Sequence, residues 1–178
     1  MDVNSLIAYL IPNARRWIEE QRDMHQPDSR SLLPEETKSL QRFFRAATLE
    51  RARIKFVPQI ENPPFYSDLT RAGYPILVDF RQMAGITFDN TILIGNSYSA
   101  SQLFLSLLFH ELVHVVQYGL LGVSEFTKRY VVGWAQNGFN YASIPLEREA
   151  YELQGKFDLS QDKIFSVDNI VAERMTRS

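Results

Sequence analysis

His110, Glu111 and His114 form a His-Glu-x-x-His pattern whose residue types and spacing permit metal-dependent chemistry. On a helix, histidines four residues apart lie about 40° apart around the axis and one turn apart along it, so both imidazoles can bind one ion. Glu111 lies about 100° from His110, beside the expected position of a metal-bound water. Two neutral imidazoles would bind zinc, zinc would lower the pKa of the water, and the carboxylate would accept the proton.

The stretch that carries this pattern, residues 103–116, is apolar nearly all round, which predicts a central and buried helix. Burying two imidazoles and a carboxylate is costly unless a partner compensates them, and one zinc ion would do so. A catalytic zinc needs a third protein ligand and an open fourth position. The chain has three histidines and no cysteine, His25 lies far upstream, and no histidine follows His114. The third ligand is therefore expected to be an acid.

The segment Pro145–Tyr151 resembles the Glu-x-x-Ala segment that supplies the third zinc ligand in many gluzincins, including CAAX-type membrane proteases and the small minigluzincins. The resemblance implies that Glu147 is this ligand. Helical spacing agrees, because Ala150 and Tyr151 would share the face of Glu147, and Ala150 is small enough to let two helices approach closely. Glu149 is the alternative ligand.

A wider resemblance covers residues 84–118, carried by residues 84–95 and 107–117. They resemble the peptidase-like core domain of bacterial injection-system and toxin-associated proteins, in which a hairpin and a variable loop precede a His-Glu-Leu-x-His-Val-x-Gln helix. Tyr118 stands where that family commonly has a second glutamine, and the first 80 residues carry no such likeness. The resemblance implies a zincin-like fold. In zincins the strand before the motif helix often pairs with the substrate backbone, and Ile92, Leu93, Ile94 and Gly95 would then form that substrate edge strand.

Four further polar residues are candidates for supporting roles. Gln117 lies seven residues after His110 on the same helical face, where it would either orient a ligand or form a polar end of the buried helix. Hydrolysis of an amide also needs a donor for the developing oxyanion. Tyr130, Tyr141 and Arg148 are candidates for that donor, and the sequence does not choose among them.

Patterning predicts an α+β fold in a single domain, residues 1–178, with N-terminal helices in 1–50, a small sheet in 51–98, and a helical part that holds the metal site in 99–178. The predicted helices span residues 3–11 and 13–24 on either side of Pro12, 34–50, 99 or 101 to 121, 124–135 and 146–154, with one more in the tail. The predicted strands span 54–57, 76–80, 86–88 and 91–94, and the last two form a hairpin around Asp89-Asn90. Residues 59–75 hold several prolines and are predicted to be irregular.

The composition indicates which classes of binding partner and which chemistry are not expected. The formal net charge is −2, which gives no electrostatic reason to expect nucleic acid or an anionic membrane as a partner. The absence of cysteine excludes disulfides and a thiol nucleophile. The N-terminal stretch lacks a basic region before its apolar run, so we expect no signal peptide and a cytoplasmic location. The sequence does not indicate an oligomeric state.

These features predict a gluzincin-type zinc metallopeptidase that cleaves peptides or proteins with one zinc ion. Glu111 would be the catalytic base, and His110, His114 and Glu147 the zinc ligands. Two alternatives use the same residues. One is a binding or scaffold module that keeps a zincin fold without catalysis. The other is an amidase that acts on a small molecule, which a deep and enclosed pocket would favour.

Overall fold

We describe the protein from a computed structural model, which defines residues 2–74, 78–159 and 163–177. Within these ranges the fold combines helices with one small sheet, so the predicted α+β class is confirmed, while the zincin-like topology stays a prediction. The elements in chain order are α1 (Val3–His25), α2 (Pro34–Leu40), α3 (Ala46–Arg51), β1 (Arg53–Val57), α4 (Tyr66–Arg71), β2 (Gly85–Phe88), β3 (Thr91–Gly95), α5 (Phe104–Gln136), α6 (Pro145–Leu159) and α7 (Val167–Arg177).

The N-terminal residues form one helix, α1, and not the two helices predicted on either side of Pro12. Proline in a helix leaves the carbonyl four residues earlier without its usual partner. Here that carbonyl belongs to Ala8, which is exposed and therefore open to water. Leu10 and Trp17 are buried on the inner face. Packing on both sides of Pro12 thus keeps the helix continuous.

The single helix predicted for residues 34–50 is two short helices, α2 and α3, separated by a turn. The turn is held from the other end of the chain. The Arg45 backbone N–H donates to Asp168 Oδ2 at 3.0 Å, and Val167 N–H donates to the Phe43 carbonyl at 2.9 Å. Because these bonds join residues more than 120 positions apart, local sequence patterns do not reveal them.

The sheet has the strand order β1-β3-β2, with β1 parallel and β2 antiparallel to β3. The predicted strand near residues 54–57 and the hairpin around Asp89-Asn90 are both confirmed. The edge-strand prediction for Ile92, Leu93, Ile94 and Gly95 is wrong, because these residues belong to the middle strand and their backbone is paired on both sides. Side chains on both faces of β3 are buried, as a middle strand between two packed layers requires.

Residues 76–80 do not form the strand that was predicted for them in the part that can be described. Residues 76 and 77 lie outside the described ranges, residues 78 and 79 are irregular, and Phe80 begins a 3-10 turn. The proline-rich stretch before them, predicted to be irregular, contains the short helix α4, whose Leu69 is buried.

Helix α5 begins at Phe104, later than Ser99 or Ser101, because residues 96–98 first form a 3-10 turn. The helix is broken at Gly122, as predicted, where φ is 69° and ψ is 163°. Only glycine adopts this region readily. By length and composition α5 could span a membrane, but 61% of its most apolar window is buried within the protein. It therefore fits the pattern of a core helix.

Helix α6 continues past Gly155, where it was predicted to stop. Phe157 lies beyond the glycine and stacks on Phe109 with ring centroids 4.5 Å apart. This packing outweighs the roughly 1 kcal/mol that glycine costs inside a helix.

The further helix predicted in the tail is α7. Helices α6 and α7, with α2 and α3, pack around the first half of α5, while α1 packs on the other side of the sheet around Trp17, Phe88 and Leu93.

Candidate metal centre

Three buried side chains from two helices converge at one point. His110 and His114 lie one turn apart on α5, and Glu147 lies in the first turn of α6, with exposures of 5%, 5% and 3%. The two histidine Nε2 atoms are 3.2 Å apart, and Glu147 Oε2 is 3.4 Å from each of them. These residues form a group that could hold a metal ion. Ala150 is fully buried, which lets α6 approach α5 at this point.

The inward-facing oxygen of Glu147, Oε2, makes no hydrogen bond to any residue that the structure describes. Tyr130 donates a hydrogen bond to the other oxygen, Oε1, at 2.7 Å, and so fixes the orientation of the carboxylate. Oε2 is buried, and its nearest described polar neighbours are the two histidine Nε2 atoms at 3.4 Å. A buried carboxylate oxygen without a partner is costly. Its position between two imidazole nitrogens indicates a place for a cation.

Gln117 sets the tautomer of His114. The amide nitrogen of Gln117 donates to the Leu146 carbonyl and to Glu149 Oε2, each at 3.0 Å. Its amide oxygen therefore faces His114 Nδ1, 2.8 Å away, and can only accept. Nδ1 must carry a proton, so in the neutral imidazole the Nε2 lone pair is directed at the convergence point. Gln117 thus has the orienting position that was one of its two predicted roles.

Gln154 sets the tautomer of His110 in the same way. The sequence did not predict this role. Its amide oxygen lies 3.0 Å from His110 Nδ1, and its amide nitrogen donates to Ser106 Oγ at 2.9 Å. Ser106 in turn donates to Asp158 Oδ2 at 2.9 Å. Gln154 lies seven residues after Glu147, so its helical spacing was the available signal, but nothing local shows that it reaches α5.

The electrostatics of the three side chains are those of a site built for a positive charge. Burial disfavours the charged form of His114, but the adjacent Glu147 carboxylate outweighs burial and raises the pKa of His114 to about 9. Burial also opposes ionisation of Glu147, and the two imidazoles hold its pKa well below the usual range. With both Nδ1 atoms acting as donors, each neutral imidazole presents an Nε2 lone pair to the Glu147 carboxylate oxygen. A positive charge between them, a proton on His114 or a metal ion, offsets their mutual repulsion.

Glu111 lies beside this group without belonging to it. Thr87 on β2 donates to Glu111 Oε2 at 2.7 Å. The other oxygen, Oε1, lies only 2.8 Å from where a Cβ at Gly85 would be, so a side chain there would displace the carboxylate from this position. Burial raises the pKa of Glu111, and the charge of the two histidines opposes this shift. The carboxylate is thus fixed in position and has a raised affinity for a proton.

The remaining predicted residues are divided between two places. Tyr141 lines the cavity beside Glu111, and burial and the Glu147 carboxylate raise its pKa well above the ordinary value. Arg148 is exposed and lines a separate groove. The structure therefore brings Tyr130 and Tyr141 to the centre and leaves Arg148 outside it. The sheet contributes β2 residues to this cavity, whereas β3, which holds the predicted edge residues, contributes none.

Comparisons of the chain with known protein families, with curated proteins and with solved structures each found no match. The functional argument therefore depends on the geometry and chemistry of these residues.

Proposed function

We propose that the protein is a zinc-dependent peptidase in which His110, His114 and Glu147 hold one zinc ion. The observation that carries this proposal is the triangle of two histidine nitrogens and one buried carboxylate oxygen, with sides of 3.2, 3.4 and 3.4 Å. A tetrahedral zinc ion with bonds of about 2.0–2.1 Å requires ligand atoms roughly 3.3–3.4 Å apart. Three protein ligands of this kind also leave the open position that distinguishes catalytic from structural zinc sites.

Individual residues of the chain would then have different roles in amide hydrolysis. Zinc, when bound, supplies Lewis acidity toward a water molecule and toward the carbonyl of the substrate. Glu111 is the general base that takes a proton from the attacking water and delivers it to the leaving amine. Thr87 holds the Glu111 carboxylate in place, and burial keeps its proton affinity high. Tyr130 orients Glu147, and Tyr141 is the hydroxyl donor that lines the same cavity.

The proposal extends to the substrate and the location. The substrate is a peptide or protein, and the protein works in the cytoplasm. If a substrate backbone adds to the sheet, it pairs with β2, since β2 is an edge strand and Thr87 links it to Glu111.

Turnover on a library of unfolded proteins and peptides, with zinc content measured on the same sample, tests the proposal. We expect one zinc per chain and cleavage that stops on chelation and returns when zinc is added. A protein that binds zinc but cleaves nothing would be a scaffold module. Cleavage confined to small acylated amides would instead indicate an amidase. Absence of zinc binding would overturn both the metal assignment and the hydrolase.

Replacing Gln154 with leucine is expected to lower zinc affinity about 10- to 100-fold, the usual cost of losing a hydrogen bond that orients a metal-bound histidine. Leucine is similar in size but cannot accept the proton of His110 Nδ1, so the imidazole loses its fixed tautomer. Competition with a chromophoric zinc chelator measures the affinity. Lys156→Leu, an exposed change on the same helix, is the control. Equal affinity in both variants would contradict the role given to Gln154.

A further inference from the structure

A small apolar cavity adjoins the proposed catalytic residues. Its volume is about 90 Å³, and Glu111, His114 and Glu147 form one part of its wall. Most of the remaining wall is apolar and comes from three elements that are distant in sequence. The contributors include Trp17 and Ile18 of α1, Ile86 and Phe88 of β2, and Phe126 and Val131 of α5. The cavity has an apolar interior and a catalytic end.

A second apolar cavity of about 70 Å³ lies next to the first. The two cavities share five lining residues: Ala14, Trp17, Phe80, Tyr130 and Val131. Trp17 is fixed in this wall by aromatic contacts, with its ring centroid 5.1 Å from that of Phe80 and 5.0 Å from that of Phe88. Of the five shared residues, Trp17 and Val131 are buried, and Val131 is the smaller, so shortening it is the least disruptive way to thin the shared wall.

We propose that the first cavity is the specificity pocket of the enzyme and binds a branched aliphatic side chain, of the size of valine or leucine, next to the bond that is cleaved. This inference depends on the proposed peptidase function. The apolar lining indicates that the bound side chain is apolar, because a charged side chain buried among these groups would be costly. Its size follows from the volume, since a cavity of about 150 Å³ is what holds a benzene ring.

Val131 is then the residue that limits the size of the accepted side chain. Val131→Ala removes two methyl groups from the wall and joins the first cavity to the second. The joined space accepts an aromatic ring. Val132 is the matched control, because it is the next residue on α5 but lines the separate groove with Arg129 and Glu149. Ala14→Leu gives the opposite change, since it adds bulk to the shared wall.

The test measures binding of three hydroxamates to the zinc-loaded protein: acetohydroxamate, isovalerohydroxamate and phenylacetohydroxamate. Their metal-binding group is identical, so ratios of affinity report on the pocket. Isovalerohydroxamate should bind roughly fifty-fold more tightly than acetohydroxamate, because it buries three more carbon groups. It should also bind more tightly than phenylacetohydroxamate. Val131→Ala should reverse this last preference, Val132→Ala should leave it unchanged, and Ala14→Leu should reduce the gain from the isobutyl group.

Equal affinity for acetohydroxamate and isovalerohydroxamate would overturn the proposal, as would a preference for the aromatic probe in the unaltered protein. The proposal would also be overturned if Val131→Ala and Val132→Ala changed the affinity ratios equally. Failure of the peptidase function shows separately, as absent cleavage with the affinity ratios intact. If no zinc binds, the matching amides (acetamide, 3-methylbutanamide and phenylacetamide) replace the hydroxamates. NMR signals of the Trp17 ring then report binding to the pocket in the metal-free protein, with the same ratios expected.

Discussion

Glu111→Gln is expected to abolish hydrolysis while leaving zinc bound. Glutamine keeps the shape of the side chain and can still accept the hydrogen bond from Thr87, so the packing beside Gly85 is retained. It cannot take a proton from water at neutral pH. Because general acid–base catalysis contributes about 10²- to 10⁴-fold, and this residue would serve both proton transfers, we expect turnover to fall at least a thousand-fold. The measurement is turnover of a peptide found in the library, together with zinc content.

Glu125→Gln is the matched control for this experiment. Glu125 lies on the same helix, is partly exposed, and forms an ion pair with Arg129 away from the metal centre. Its replacement should change neither turnover nor zinc content. Full activity in Glu111→Gln would remove the general base from the mechanism and with it the proposed peptidase. Loss of zinc from Glu111→Gln would instead indicate that Glu111 helps to hold the ion, contrary to its position outside the triangle.

Glu147→Ala is expected to lower zinc affinity by more than 100-fold and to abolish turnover. It removes one of three ligand atoms, a larger loss than the 10- to 100-fold usually caused by removing an outer partner. Stability gives an independent readout. Zinc at a thousand times its dissociation constant should stabilise the unaltered protein by about 4 kcal/mol, which raises Tm by roughly 10 °C in a protein of this size. Glu147→Ala should show little of this rise at the same zinc concentration.

Glu149→Gln distinguishes between Glu147 and Glu149, the two carboxylates that the sequence left as candidates for the third ligand. Glu149 lies on the far side of Gln117, where it accepts a hydrogen bond from the Gln117 amide and faces Arg174. Its replacement should therefore reduce zinc affinity by about tenfold or less, through the orientation of His114 alone. If Glu149→Gln loses zinc while Glu147→Ala retains it, the third ligand has been assigned to the wrong residue.

Helical periodicity predicted that His110 and His114 meet, and the resemblance predicted Glu147, which the structure places beside them. Two histidines four apart must share a helical face, and an acid near the start of a later helix was needed to complete the group. The break at Gly122 and the hairpin around Asp89-Asn90 followed from local rules for glycine and tight turns. In each case the information lies within a few residues.

The errors in the sequence analysis share a physical cause, which is that tertiary contacts outweighed local preferences. Pro12 did not end α1 because packing holds the helix on both sides, and Gly155 did not end α6 because Phe157 packs on Phe109. The role of β3 as the middle strand depends on its pairing with β1, which comes from far earlier in the chain. The same holds for Gln154 and for α1, whose part in the cavity no local pattern indicates.

Gly122 has a consequence for the assembly of the protein. A straight helix of 33 residues would extend about 50 Å, well beyond the span of a small domain. The break returns the second half to the first, where Phe126 stacks on Tyr118 and Tyr130 reaches Glu147. Any other residue at this position would be strained, and straightening would relieve that strain. The freed half could then pair with the first half of a second chain, so the break at this glycine disfavours domain swapping.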